Sequence, residues 1–184
     1  MTLVSGARVE PRLTDTLCTR CGLCCDGSLL ADVELSGRAE ATRMEILGLR
    51  IDDDEDRALM VLPCAALHGT RCDVYAHRPR CCRTFECGLL QDARRGAVTV
   101  ERALGLIAET HAGLGRVKLL LAQLGHGGST LPLAERVAEV LATEARSSVV
   151  ASRRRAELEA AMAAVERTIR KYFLGDPTRG QPRS

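Results

Sequence analysis

Cys18-Thr19-Arg20-Cys21-Gly22-Leu23-Cys24-Cys25 is the stretch on which the fold of this chain turns. Cys64, Cys72, Cys81, Cys82 and Cys87 follow, so all nine cysteines lie between positions 18 and 87. Thiolate is a soft ligand that suits zinc, Cu(I) and iron–sulfur clusters. So many thiols in one short window need a shared explanation, and metal supplies one. The composition asks for it as well. Only Tyr75, Phe85, Tyr172 and Phe173 are aromatic, and there is no tryptophan. Aromatic rings provide the largest single burials in most cores. A cysteine segment with only Tyr75 and Phe85 is of the kind that relies on disulfides or metal.

Disulfides fit poorly. The count of nine is odd, and residues 1–15 carry Arg8, Glu10, Arg12 and Asp15 with no long apolar run, so no secretory signal is expected. No stretch approaches the roughly 18 apolar residues of a membrane span. The expected compartment is the cytoplasm, where thiols stay reduced. The net charge of +2 excludes a strongly basic nucleic-acid binder. The mild acidity of the first half and mild basicity of the second read as solvated faces.

Outward from the first cysteines, residues 1–17 read as an extended lead-in. Gly22 and Gly27 allow the backbone to turn sharply around a metal. Leu29–Leu35 contains a short strand, and Ser36 caps a helix from about Gly37 to Leu49. Asp52–Asp56 is an acidic run. A calcium loop would need Gly at its sixth position and Glu at its twelfth, where Arg57 and Pro63 stand, so a solvated loop is expected. Ala58–Leu62 reads as a strand feeding Pro63-Cys64, and Gly69-Thr70 as a turn. Pro79 disfavours helix at Arg78. The spacing of Cys82 and Cys87 is close to one helical turn, which would put both thiols on one side.

Beyond Cys87 the composition shifts to Ala, Leu, Arg and Glu. Val98–Val100 reads as a short strand or a helix lead. Leu104, Ile107, His111, Leu114, Val117, Leu121 and Leu124 recur at helical spacing, and Gly125 ends that helix. Ser129 or Thr130, with Pro132, starts the next helix, whose stripe is Leu133, Val137, Val140, Leu141 and Ala145. Leu158, Met162, Val165, Ile169 and Phe173 form a third stripe, stopped at Gly175-Asp176-Pro177. The fold class expected is α+β. A cysteine-rich metal-binding module with short strands, residues 1–90, precedes a helical region, 91–175, that packs on it. Residues 176–184 read as a disordered tail. The helical stripes also offer a surface for a protein partner; neither membrane nor nucleic acid is expected as one.

Three spacings bear on the metal. Cys18-x2-Cys21-x2-Cys24 matches the first three ligands of a bacterial ferredoxin run, but the fourth place is Ser28. A Cys-x3-Cys-x2-Cys pattern fails at the same serine. In extended backbone the adjacent Cys24 and Cys25 would point to opposite sides, so they would serve two metals or only one would bind.

With these residues in hand, the chain resembles the YkgJ-type cysteine-cluster family of zinc- or iron-chelating proteins. The matching residues are Cys18, Cys21, Cys24 and Cys25, then Pro63-Cys64, Cys72-Asp73-Val74-Tyr75, Arg78-Pro79, Cys82-Arg83 and Phe85-Glu86-Cys87. Cys81 is an extra thiol in a variable slot. The resemblance spans roughly residues 15–90, and it implies metal held by Cys18, Cys21, Cys24, Cys25, Cys64, Cys72, Cys82 and Cys87. The family includes flagellin lysine N-methylases, which carry an iron–sulfur cluster. Those chains are much longer and no glycine-rich methyl-donor site is visible here, so a redox or accessory metal protein is expected, with a small metal-dependent modifying enzyme or a zinc-stapled interaction module as alternatives, and no catalytic residue is assigned. A [4Fe–4S] cluster, two zinc sites, or one of each remain open to the eight motif thiols, with the cluster favoured for the crowded Cys-x2-Cys-x2-Cys run. Tyr75 and Arg78 either bond to cluster sulfurs or a bound anion, or fill the core and pair with an acid. His68, His77, His111 and His126 read as surface or helix-face residues, His77 being the best candidate for an exception.

Overall fold

The computed structural model describes residues 12–54, 57–128, 131–143 and 149–175. The sequence readings for 1–11, Ser129, Thr130, Ala145 and the tail 176–184 lie outside these residues.

The first helix, α1 (Leu13–Cys21), occupies part of the span expected to be extended. Asp15 sits in its positively polarised first turn, and Leu13 and Leu17, one turn apart, pack into the core. Cys18 and Cys21 therefore occupy the last turn of a helix, not a loop. Gly22 ends it at φ +67°, its N–H reaching the Cys18 carbonyl. Only glycine takes that conformation cheaply. A side chain here would also meet the Thr70 backbone, whose Cα lies 3.2 Å from an ideal Cβ position.

A three-stranded antiparallel sheet follows, in the order β1 (Asp32–Glu34), β3 (Arg57–Val61), β2 (Ile51–Asp54). Val33 and Ile51 both face Met60 in register. The acidic run is thus in part a strand, contrary to the loop expected. Its backbone pairing with β3 outweighs the low strand propensity of aspartate. Helix α2 (Arg38–Ile46) lies against this sheet. Its N-cap is Gly37, and the Ser36 hydroxyl does not cap it; the Ser36 N–H donates instead to Glu40 Oε2 at 2.8 Å. The hairpin β4 (Leu67–His68) and β5 (Arg71–Cys72) turns at Gly69-Thr70, as expected. Arg78 is extended, as expected before Pro79, and α3 (Arg80–Thr84) begins after it. Phe85 breaks the helix, and Cys87 is the N-cap of α4 (Gly88–Arg94). Cys82 and Cys87 consequently belong to different helices, so the one-turn reading of their spacing does not hold.

Thr99 caps α5 (Val100–Gln123) by accepting from the Arg102 N–H. Together with α6 (Leu133–Ala142) and α7 (Val149–Ile169) this makes the helical part. The stripe Leu158, Met162, Val165, Ile169 and Phe173 is buried at every position, the last on a π-helical turn closing at Gly175.

Two apolar cores result. The larger takes Leu17 and Leu23 from the cysteine half, Leu89 and Leu90 from α4, and the stripes of α5, α6 and α7. The smaller lies between the sheet and α2: Leu35, Ala41, Met44, Leu49, Ala58, Met60, Leu62 and Ala66. It contains no aromatic ring. Among the described residues no helix is long and apolar enough to cross a membrane.

Candidate metal centre

The thiols lie where the two cores meet. Cys18, Cys21 and Cys87 lean on the larger core, and Cys64, Cys81 and Cys82 on the smaller. All nine are free and partly buried. Cys24 and Cys25 follow Gly22 in a tight turn, in which the Cys25 and Asp26 N–H groups return to the Gly22 carbonyl. The extended backbone assumed for this pair is absent, and their sulfurs stand 3.7 Å apart on the same side. The Cys64 N–H donates to the Cys25 carbonyl at 2.8 Å, joining the first cysteine run to the second.

Electrostatics shows which thiols sense one another. Burial, then the charges of Cys87 and Cys24, push Cys18 up to about 11 against a weaker opposing pull from Arg78. Burial raises Cys21 to about 12, assisted by Cys87, Cys24 and Cys18. The hydrogen bond with Cys24 raises Cys25, followed by burial and the charges of Cys24, Cys82 and Cys64. The bond to Cys81 likewise raises Cys82, with burial and the charges of Cys81, Cys64 and Cys24 behind it. Cys64 rises through burial and then through Cys72 and Cys24; Cys87 rises through burial and then Cys24. Cys24 and Cys81 are lowered, first of all by the hydrogen bonds within the two adjacent pairs. Two neighbourhoods emerge: Cys18, Cys21 and Cys87 on one side, Cys25, Cys64, Cys72 and Cys82 on the other. Cys24 acts on both.

Such a set is a poor home for free thiolates and a good one for a cation. Desolvation and the neighbouring thiols disfavour charge on six of the nine sulfurs, those of Cys18, Cys21, Cys25, Cys64, Cys82 and Cys87, and a bound metal deprotonates its thiols outright. The donor chemistry therefore fits zinc or an iron–sulfur centre, whose ligands would come from Cys18, Cys21, Cys24, Cys25, Cys64, Cys72, Cys82 and Cys87. Among the described residues, no three Cys, His, Asp or Glu side chains stand grouped as an ion would need them.

Residues 17–100 match the family model CxxCxxCC, described as "Putative zinc- or iron-chelating domain". The match covers the cysteine-bearing segment, a little under half of the chain. No curated protein and no solved structure matches the chain. The chelating domain reaches from the end of α1's first turn into the start of α5 and thus includes all nine thiols. Metal binding is the property this match supports, as the thiol pattern led us to expect.

Other residues hold the chelating domain's loops in place. The Thr70 hydroxyl donates to the Thr19 carbonyl at 2.6 Å, tying the β4–β5 turn to α1. Tyr75 does not fill the core: it is 42% exposed. Its hydroxyl reaches Asp15 at 3.3 Å, and the Arg78 guanidinium lies 3.7 Å over its ring. Arg78 also donates to the carbonyls of Tyr75 and Cys82. Among the described residues it braces the loop before α3 through carbonyls rather than through an acidic partner. His68 pairs with Asp73 on the surface, while His77 and His126 are exposed.

Two residues that the sequence reading left outside the site prove to support it. His111, on the inner face of α5, approaches the Cys21 carbonyl at 2.7 Å. A carbonyl only accepts, so His111 Nε2 carries the proton in this bond. Its place in the apolar stripe was the signal that it faces inward. Glu40 is buried at 5% exposure. One oxygen accepts from the Ser36 N–H and the other from the Arg80 N–H at 2.9 Å, the first residue of the helix bearing Cys81 and Cys82. Burial raises its pKa, but these bonds outweigh that and hold the carboxyl below its usual value.

Proposed function

We propose that the chain binds a [4Fe–4S] cluster through the motif thiols and serves a redox or accessory role in the cytoplasm. The supporting observations are the match of residues 17–100 to a zinc- or iron-chelating domain and the bond from the Cys64 N–H to the Cys25 carbonyl, which joins the run bearing the first four sulfurs to the run bearing the rest. Binding would draw these sulfurs inward from their present positions. The crowded Cys18, Cys21 and Cys24 run favours a cluster over tetrahedral zinc. Once bound, a cluster supplies one-electron chemistry. Cys18, Cys21 and Cys24, with one thiol of the second half, would hold it, and His111 would fix the carbonyl beside Cys21. A protein partner, reached through the outer faces of the C-terminal helices, is part of this reading; Leu119 and Leu141 are exposed there.

The division into two neighbourhoods favours a second reading, in which two four-thiolate zinc sites staple the small core. Anaerobic purification separates them. A brown protein with a broad absorption shoulder and acid-labile sulfide supports the cluster. A colourless protein with stoichiometric zinc and no sulfide overturns it in favour of the staple.

A further inference from the structure

An open groove of about 330 Å³ lies between α2 and the Ala76–Arg83 segment. Its charge is one-sided. Arg43, Arg78 and Arg83 line it with His77, against the single carboxylate of Glu40. That carboxylate is already occupied by two backbone N–H groups. Arg43 is 3.8 Å from Glu40, too far for a tight pair, and its side chain is 69% exposed. Arg83 is exposed. Ile46 and Leu47 line it too, at the end of α2, and are left 79% and 39% exposed.

We propose that this groove docks an acidic peptide segment of a partner protein, with a large apolar side chain of that segment covering Ile46 and Leu47. Net positive charge selects carboxylates and steers their approach. The apolar rim selects a macromolecule, because a small anion among the arginines would leave Ile46 in water. A peptide buries both at once. The groove shares Arg78 with the thiol site, and α3 begins at its edge, so a partner seated there lies next to the metal-bearing helix. The inference adds a partner to the proposed function but does not require the metal to be of either kind.

Fluorescence anisotropy tests it on the full chain as purified, with its metal content measured on the same sample. The probe is a labelled peptide of Glu and Asp carrying one Leu and one Phe. Saturable binding is expected, weakening about tenfold, or 1.4 kcal/mol, for Arg43→Glu and for Ile46→Ser. The Gln/Asn version of the peptide and the version lacking Leu and Phe should each bind at least about as weakly. Both substitutions lie on the exposed face of α2, so circular dichroism and metal content should match the parent. Absence of binding, equal binding of the Gln/Asn peptide, or full displacement by inorganic phosphate would overturn the docking role. A sample with metal and no peptide binding refutes the groove alone; one with peptide binding and no metal refutes the metal reading alone.

Discussion

Cys24 is the residue through which the two thiol neighbourhoods communicate. Cys24→Ser should therefore lower metal per chain more than Cys81→Ser, which removes the one thiol outside the family pattern. Elemental analysis of the two variants checks the order; equal loss would mean that Cys81 is a ligand. His111 acts through a single hydrogen bond to the Cys21 carbonyl. His111→Ala leaves that carbonyl unsatisfied in a part-buried place, at a cost of about 1–3 kcal/mol. Chemical denaturation should show that loss, while His126→Ala, at an exposed site, should show almost none. At this scale much was legible. The thiols could be named as candidate ligands from their spacing, because ligand chemistry is carried by residue type. The side on which Cys24 and Cys25 point did not, since it depends on whether the turn after Gly22 is extended or tight.

Between elements, the two halves of the cysteine module are joined by carboxylate and glycine devices. Glu40 satisfies the N-terminus of α3 from α2, across forty residues of sequence. Removing a cap of this kind costs about 0.5–2 kcal/mol, so Glu40→Ala should lower the thermal midpoint measurably. The sign of the pH effect follows from its depressed pKa. The carboxylate's contribution is fully present above the ordinary value near 4.5 and is lost as pH falls through the lower folded value. The parent should thus lose stability on acidification over that window more steeply than Glu40→Ala, as read by denaturation at each pH. Gly22→Ala should cost about 1–2 kcal/mol for its left-handed backbone, plus the displacement of Thr70, 3.2 Å away. The helices α5 and α7 were legible as stripes because their apolar faces repeat every three or four residues. The strand β2 was not, because three aspartates in a row carry no alternation, and only pairing with β3 makes them a strand. The start of α1 was missed for a related reason: nine residues give a weak period, and its helicity rests on packing against α4 and α5.

For the molecule as a whole, the larger core stands on leucine-rich helices, while the smaller has eight apolar residues and no aromatic ring among them. Folding free energy for that part must come from elsewhere, and structural metal supplies it in small domains of this kind. Sequence composition pointed to this need; the sharing of the larger core between α1, α4 and the C-terminal helices could not be read from it, because it depends on contacts far apart in the chain. Removal of metal should then loosen the sheet and α2 first, visible as faster amide exchange in 32–62 than in α5 and α7. The most direct test is to count metal and reactive thiols in the native chain purified without oxygen, before and after a strong chelator. The account predicts stoichiometric metal and few reactive thiols at first, then thiols that react freely once the metal is stripped. Nine reactive thiols and no bound zinc or iron in the native protein would contradict it.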